Sequence, residues 1–284
     1  MALTSEPLTS ITLTPRTGAE VKISREALLS GSHSQALRAL LVARGVLVVR
    51  DLHLTDAEQR GFARTMGDLR LGTVKKEGDE GLQKVTLDET ENPDYARFFF
   101  GSQLWHMDGT YEEVPPFATI LTPRVLSNTG GDTEFTNNYA AYEDLPDSEK
   151  PFLDTLLVAH SMQAALFPAK PDCSPEEFAL WCGYPVRRHP LVWRHKSGRK
   201  SLVLSTSASH IIGMHPTESR DLLNRLMAHA TAPQYIYRHK WRMGDMLMWD
   251  NTGTMHRVLP FDARSGRRLH RFTLNGEEPV TATL

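Results

Sequence analysis

DMLMWDNTGTMH, running from Asp245 to His256, joins an apolar run of Met246, Leu247, Met248 and Trp249 to a polar turn and then to a histidine. An apolar run of about four to eight residues between turn formers is short for a helix and reads as a strand covered on both faces. The same punctuation recurs along the chain beyond Trp105. Pro115-Pro116, Asn128-Thr129-Gly130-Gly131, Ser197-Gly198, Gly213 and Gly244-Asp245 separate short runs such as LVLSTS at 202–207. One helix interrupts them, PTESRDLLNRLMAHAT from Pro216, with Leu222, Leu223, Leu226 and Met227 on one stripe. Many short strands with helical insertions predict a mostly β, α+β architecture, a β-sandwich or jelly roll wrapped by helices.

The first seventy or so residues read as mixed α/β. Ile11-Thr12-Leu13-Thr14 alternates like a strand. SQALRALLVAR places Leu37, Leu40 and Leu41 at helical spacing, stops at Gly45, and is followed by Val46-Leu47-Val48-Val49, a buried strand. Thr55-Asp56-Ala57-Glu58 is a capping box ahead of Phe62 and Met66. Between about Arg70 and Gln103 the pattern dissolves into Gly, Lys, Glu and Asp, ending with Tyr95 and Phe98-Phe99-Phe100. A segment of that length is expected to be a mobile substrate loop within one domain spanning residues 1–284.

Composition narrows the function classes. The chain has 284 residues, 40% hydrophobic and 23% charged, which is long enough for a sizeable core and excludes disorder as a whole-chain reading. Its 32 basic residues against 34 acidic ones give no general pull on nucleic acid or anionic membrane. Cys173 and Cys182 form no CxxC pattern, so neither a disulfide framework nor a cysteine zinc site is expected. They are expected to pack as small hydrophobes in a reducing cytoplasm. A cytoplasmic location also follows from the absence of an apolar signal core or long apolar run. The basic stretch RHKSGRK at 194–200 reads as a hairpin with a solvated face and lacks the spacing of a phosphate loop.

The chain has twelve histidines, so no single one carries weight alone. His53, His160, His189, His195, His210, His215, His229 and His239 are read as core or surface imidazoles. His106 differs in its company, Trp105-His106-Met107-Asp108-Gly109-Thr110. On a strand, residues i and i+2 share a face, so H-x-D would present an imidazole and a carboxylate side by side. His256, anchored behind the Met246–Trp249 run, is the best candidate for a third ligand. Two histidines and one carboxylate form the facial triad that holds Fe(II) with open positions. Downstream, RRLHRFTL puts Arg267, Leu269, Arg271 and Thr273 on one strand face. Guanidiniums turned inward are costly unless they meet anions, although a solvated edge strand would also carry them.

Together, WHMDGT, NTGGDT at 128–133, WDN with His256 seven residues after Trp249, and RRLHR resemble the taurine dioxygenase and phenoxyacetate-herbicide dioxygenase family. The resemblance covers nearly the whole chain, from ARGVLVVRDLHLTDAEQ to Leu274. It implies a double-stranded β-helix (jelly roll) and an enzyme that uses Fe(II), O2 and 2-oxoglutarate as cosubstrate. Residue by residue, it implies His106, Asp108 and His256 as iron ligands, and Thr133 and Arg267 as the grip on 2-oxoglutarate. Arg271 corresponds to the arginine that anchors an anionic group of the primary substrate. A homo-oligomer is implied as well.

Departures from the taurine-specific pattern shift the expected substrate. Gly72 and Lys75 stand where those enzymes place a histidine and a tyrosine, and Ser102 replaces an asparagine four residues before His106. An anion with a larger apolar or aromatic body is expected, met by Ser102, Tyr111 and Phe100, with Phe98, Phe99 and Leu104 close by. An alkyl sulfonate or sulfate ester is the alternative within the family. The expected reaction decarboxylates 2-oxoglutarate to succinate and CO2, hydroxylates the substrate, and cleaves it where the hydroxylated carbon bears a heteroatom. Because Asp108 is present, hydroxylation is preferred to the halogenation carried out by related enzymes that vacate that position. A zinc hydrolase lacks its HExxH motif and general-base glutamate here. A non-enzymatic jelly-roll binding module would need no intact triad.

Overall fold

The computed structural model describes residues 8–71 and 80–282, so the sequence positions Gly72 and Lys75 lie outside the described residues. Val46–Val49 is buried on both faces because it lies inside a seven-stranded sheet. Across that sheet the strands run Thr9–Thr12, Ala19–Lys22, Val46–Val49, Met246–Asp250, Ala118–Val125, Arg268–Thr273 and Gln83–Thr86. Alternation sends Val46, Val48, Leu247, Trp249, Leu121 and Leu269 to one face. There they meet Phe135 and Tyr237 from a second sheet, ordered Tyr237–His239, Thr133–Asn137, Thr254–Val258. The opposite face, with Leu47, Val49, Met246, Met248 and Ile120, packs on Leu37 and Leu41 of the helix Ser34–Arg44 and on Phe62 and Met66 of the helix Asp56–Met66. The architecture is two facing sheets with helices outside, as expected of a jelly roll.

Most of the N-terminal reading holds, but the first strand is Thr9–Thr12 and ends before Leu13 and Thr14. Gly45 caps the first long helix at φ 74°, and Thr55 and Glu58 form a reciprocal capping box. A third buried cluster unites Trp105, Met107 and Trp193 with Leu223 and Leu226 of the helix Pro216–Ala230. The hairpin at Ser197-Gly198 joins Val192–Arg194 to Lys200–Leu202, and Arg199 and Lys200 pair with Glu143 and Asp154.

Three expectations need correction. The segment expected as a loop from Arg70 to Gln103 contains a strand, Gln83–Thr86, a helix, Pro93–Phe98, and a 3₁₀ turn, Phe99–Gln103. The strand forms because it pairs with Arg268–Arg271 at the sheet edge, and the helix because Asn92 caps it with Pro93 in its first turn. His106 and Asp108 do not share a strand: His106 makes a single bridge to His256, and Asp108 enters a turn through Gly109 at φ 81°. Cys182 is exposed rather than packed as a small hydrophobe, with its thiol toward Gln163, and Cys173 is half-buried.

Candidate active site

The strand Thr254–Val258 places His256 beside Phe135, and its backbone clasps that of His106 through two hydrogen bonds, of 3.0 and 2.8 Å. This clasp brings the imidazoles to a centroid separation of 4.1 Å. Asp108 Oδ1 lies 3.8 Å from His106 Nε2 and 4.0 Å from His256 Nε2. All three candidate ligand atoms fall within 4.8 Å of one another. His106 Nδ1 lies 2.8 Å from the carbonyl of Leu104. Donating a proton there leaves Nε2 with its lone pair toward the other two groups.

Electrostatics match that geometry. Burial, then the neighbouring His106, pushes His256 well below the usual imidazole range, so it is a neutral donor. Burial pushes the Asp108 carboxyl up, but Arg271, His256 and His106 outweigh it and hold it at about 2. Arg271 Nη2 donates to Asp108 Oδ2 at 2.8 Å, turning the other carboxylate oxygen toward the histidines. Two imidazole nitrogens and one carboxylate oxygen, with no thiolate, fit a divalent first-row ion.

Two cavities meet at this cluster. The inner one is lined by Thr133, Trp249, Val258, Arg267 and Tyr95. Arg267 is only 5% exposed, and among the described residues its Nη2 donates to the Gly131 carbonyl at 3.1 Å. Phe261 lies under its guanidinium at 4.7 Å. Gly131 makes this possible: at φ 79°, a Cβ there would stand 2.9 Å from Arg267 Nε. Thr133 Oγ1 accepts from Trp241 Nε1 at 3.0 Å, which leaves its own proton free to donate. A buried guanidinium beside a free hydroxyl is built for a carboxylate.

The outer cavity, about 240 Å³, is lined by Tyr95, Phe98, Tyr111, Met162, Leu166 and Arg271 among others. Arg271 donates Nε to Thr273 and Nη2 to Asp108, and among the described residues Nη1 makes no hydrogen bond. Ser102 lines both cavities and donates its hydroxyl to the Phe99 carbonyl at 2.6 Å. Tyr111 also lines the outer cavity, its phenol pushed up to about 12 by burial. Phe100 lines neither cavity, because its ring turns onto Trp181 at 6.0 Å and under Lys170.

Some side chains at the site carry no sequence signal for their position. Tyr95, Trp241, Met162 and Leu166 all fall outside the four motifs. Behind the Asp108 turn, His160 meets Ser207 at 2.9 Å, and Ser207 meets Thr110 at 2.9 Å. His189 reaches the Thr110 carbonyl at 3.1 Å. Burial pushes His160 down to about 3, so this support stays uncharged. His160 and His189 are core imidazoles, as read from the sequence, yet they brace the ligand turn.

Comparison with known proteins agrees with this arrangement. Residues 7–273 match the family described as taurine catabolism dioxygenase TauD, TfdA family. The alpha-ketoglutarate-dependent 2,4-dichlorophenoxyacetate dioxygenase of Burkholderia sp. (strain RASC) is 35% identical over 82% of each chain. The (S)-phenoxypropionate/alpha-ketoglutarate-dioxygenase of Sphingobium herbicidovorans is 32% identical over 87% of each. The crystal structure of AAD-2 in complex with Mn(II) and N-oxalylglycine superposes with a TM-score of 0.79 at 30% identity, covering 97% of this chain and 100% of that one.

Proposed function

Since the chain belongs to the taurine catabolism dioxygenase TauD, TfdA family, a group of 2-oxoglutarate-dependent oxidoreductases on a jelly-roll fold, we propose that it oxidises a small aryl-bearing carboxylic acid next to an ether oxygen. Its cofactors are Fe(II), 2-oxoglutarate and O2, and succinate and CO2 leave with the oxidised product. One observation carries the reading. The cluster of His106, Asp108 and His256 stands between a cavity with a buried arginine and hydroxyl and a cavity with aromatic walls and a second arginine.

The residues divide the work. His106, Asp108 and His256 would hold the ion, whose chemistry when bound is to activate dioxygen with electrons from the 2-oxo acid. Arg267 and Thr133 grip the far carboxylate of 2-oxoglutarate and aim its keto end at the triad. Arg271 takes the substrate carboxylate, while Tyr111, Phe98 and Met162 enclose the aromatic body. Hydroxylating the carbon between carboxylate and ether oxygen gives a hemiacetal, which breaks to a phenol and an oxo acid. We further propose that residues 1–284 work as one domain, with the segment from Arg70 to Gln103 as the substrate wall. Among the described residues no helix is long and apolar enough to cross a membrane. We also propose a cytoplasmic location and a homo-oligomeric state.

The test is anaerobic calorimetric titration of 2-oxoglutarate into wild type and Asp108→Ala, with and without Fe(II). Metal-dependent binding that is lost in the variant supports the site. Succinate release can then be followed with aryloxyacetates, alkyl sulfonates and sulfate esters side by side. Turnover of only the sulfur anions would overturn the substrate assignment while leaving the enzyme class in place.

A further inference from the structure

The inner cavity holds a side chain that none of the roles above uses. Tyr95, on the helix Pro93–Phe98, lines the inner cavity beside Arg267 and Thr133 and also the outer cavity beside Arg271. It sits in an aromatic bracket that begins at the buried guanidinium. Arg267 lies over Phe261 at 4.7 Å, Phe261 meets Phe99 edge-on at 5.3 Å, and Phe99 meets Tyr95 at 5.8 Å. The bracket docks the helix Pro93–Phe98 and the 3₁₀ turn Phe99–Gln103 against the anion-binding end of the inner cavity.

Burial raises the Tyr95 phenol against the pull of Arg267, Ser102 and Arg271, so near neutral pH it remains a proton donor. The phenol oxygen could accept from the guanidinium, but its own O–H proton needs an acceptor, and a guanidinium is none. An anion between them would satisfy both.

We propose that Tyr95 is a third member of the 2-oxoglutarate clamp, donating with Arg267 and Thr133 to the far carboxylate, and that the bound cosubstrate thereby fixes the wall of the substrate cavity. The inference rests on the reading of the inner cavity as the cosubstrate site. The same short segment supplies Tyr95 and Ser102 to both cavities, and Phe98 and Gly101 to the outer one alone. Filling the inner cavity therefore sets the shape of the outer one.

Calorimetry on the Mn(II)-loaded protein tests this without turnover. Tyr95→Phe keeps the ring and its packing and removes one hydroxyl. It is expected to weaken 2-oxoglutarate by about tenfold, within the range of a hydrogen bond to a charged group. Mn(II) affinity should stay within about twofold, and so should affinity for 2-oxobutyrate, which lacks the far carboxylate. Amide exchange across 93–103 should slow on adding 2-oxoglutarate to wild type, and slow less in Tyr95→Phe. Unchanged 2-oxoglutarate affinity in the variant, or equal weakening of both 2-oxo acids, would overturn the assignment of Tyr95 alone. Failure of the Mn(II)-loaded wild type to bind 2-oxoglutarate would overturn it together with the reading of the cavity.

Discussion

Arg271 has two carboxylates to serve. It already donates to Asp108 at 2.8 Å, and the proposed substrate brings a second acid to the same guanidinium. Arg271→Ala is therefore expected to raise the substrate KM at least tenfold and also to weaken Mn(II) binding, because Asp108 loses the partner that orients it. Arg267→Ala should weaken 2-oxoglutarate by tenfold or more with Mn(II) binding untouched, and the two metal titrations separate the arginines. Asp250, which lines neither cavity, allows a test of stability. Burial raises its carboxyl from 3.8 to about 6, against the pull of Thr252 and Tyr139. The folded chain thus binds this proton more tightly than the unfolded one. Its contribution to stability is complete below about pH 4 and is lost as pH rises through about 6, roughly 3 kcal/mol for a shift of about two units. Asp250→Asn should flatten that slope in urea unfolding measured across the window. At this scale the motif residues were legible, because Asp108, Arg267 and Arg271 sit at fixed distances along the chain from the histidines. Tyr95 was not, since its partners are reached only through space.

Among the elements, the turn after His106 decides whether the ligand set closes. Gly109 adopts φ 81°, and a Cβ there would stand 2.3 Å from Pro116 Cδ and 3.1 Å from the backbone of Pro115. Gly109→Ala is expected to move Asp108 and cost Mn(II) affinity well before it costs secondary structure, a contrast that calorimetry and circular dichroism read separately. The capping box shows the opposite case, a purely local device. Thr55→Ala should lower the unfolding free energy by about 1 kcal/mol and leave cosubstrate binding alone. Local devices of that kind were readable from the sequence, as were Val46–Val49 and Met246–Trp249, whose unbroken apolar runs mark strands covered on both faces. The strand Gln83–Thr86 escaped because it is an edge strand whose residues Gln83 to Val85 are only half-buried, so it shows no alternation. What makes it a strand is its partner Arg268–Arg271, far away in sequence.

For the molecule as a whole, the facing sheets and their helical cover leave the inner and outer cavities on the axis where strands from both halves of the chain meet. The backbone clasp between His106 and His256 has a consequence for how the apoprotein behaves. An ion that joins residues far apart in a chain ordinarily has to close the loop between them, and the entropy of closure is then charged to the metal. Here two amide hydrogen bonds and the sheet around them close that loop in the ion's absence. The ion therefore enters a finished frame rather than acting as the staple that makes one. Chelation should leave far-ultraviolet circular dichroism and cooperative unfolding intact, with Tm falling only as mass action requires. Metal exchange then becomes a surface-chemistry event, in which one divalent ion replaces another at a rate set by access through the cavities and independent of the unfolding rate.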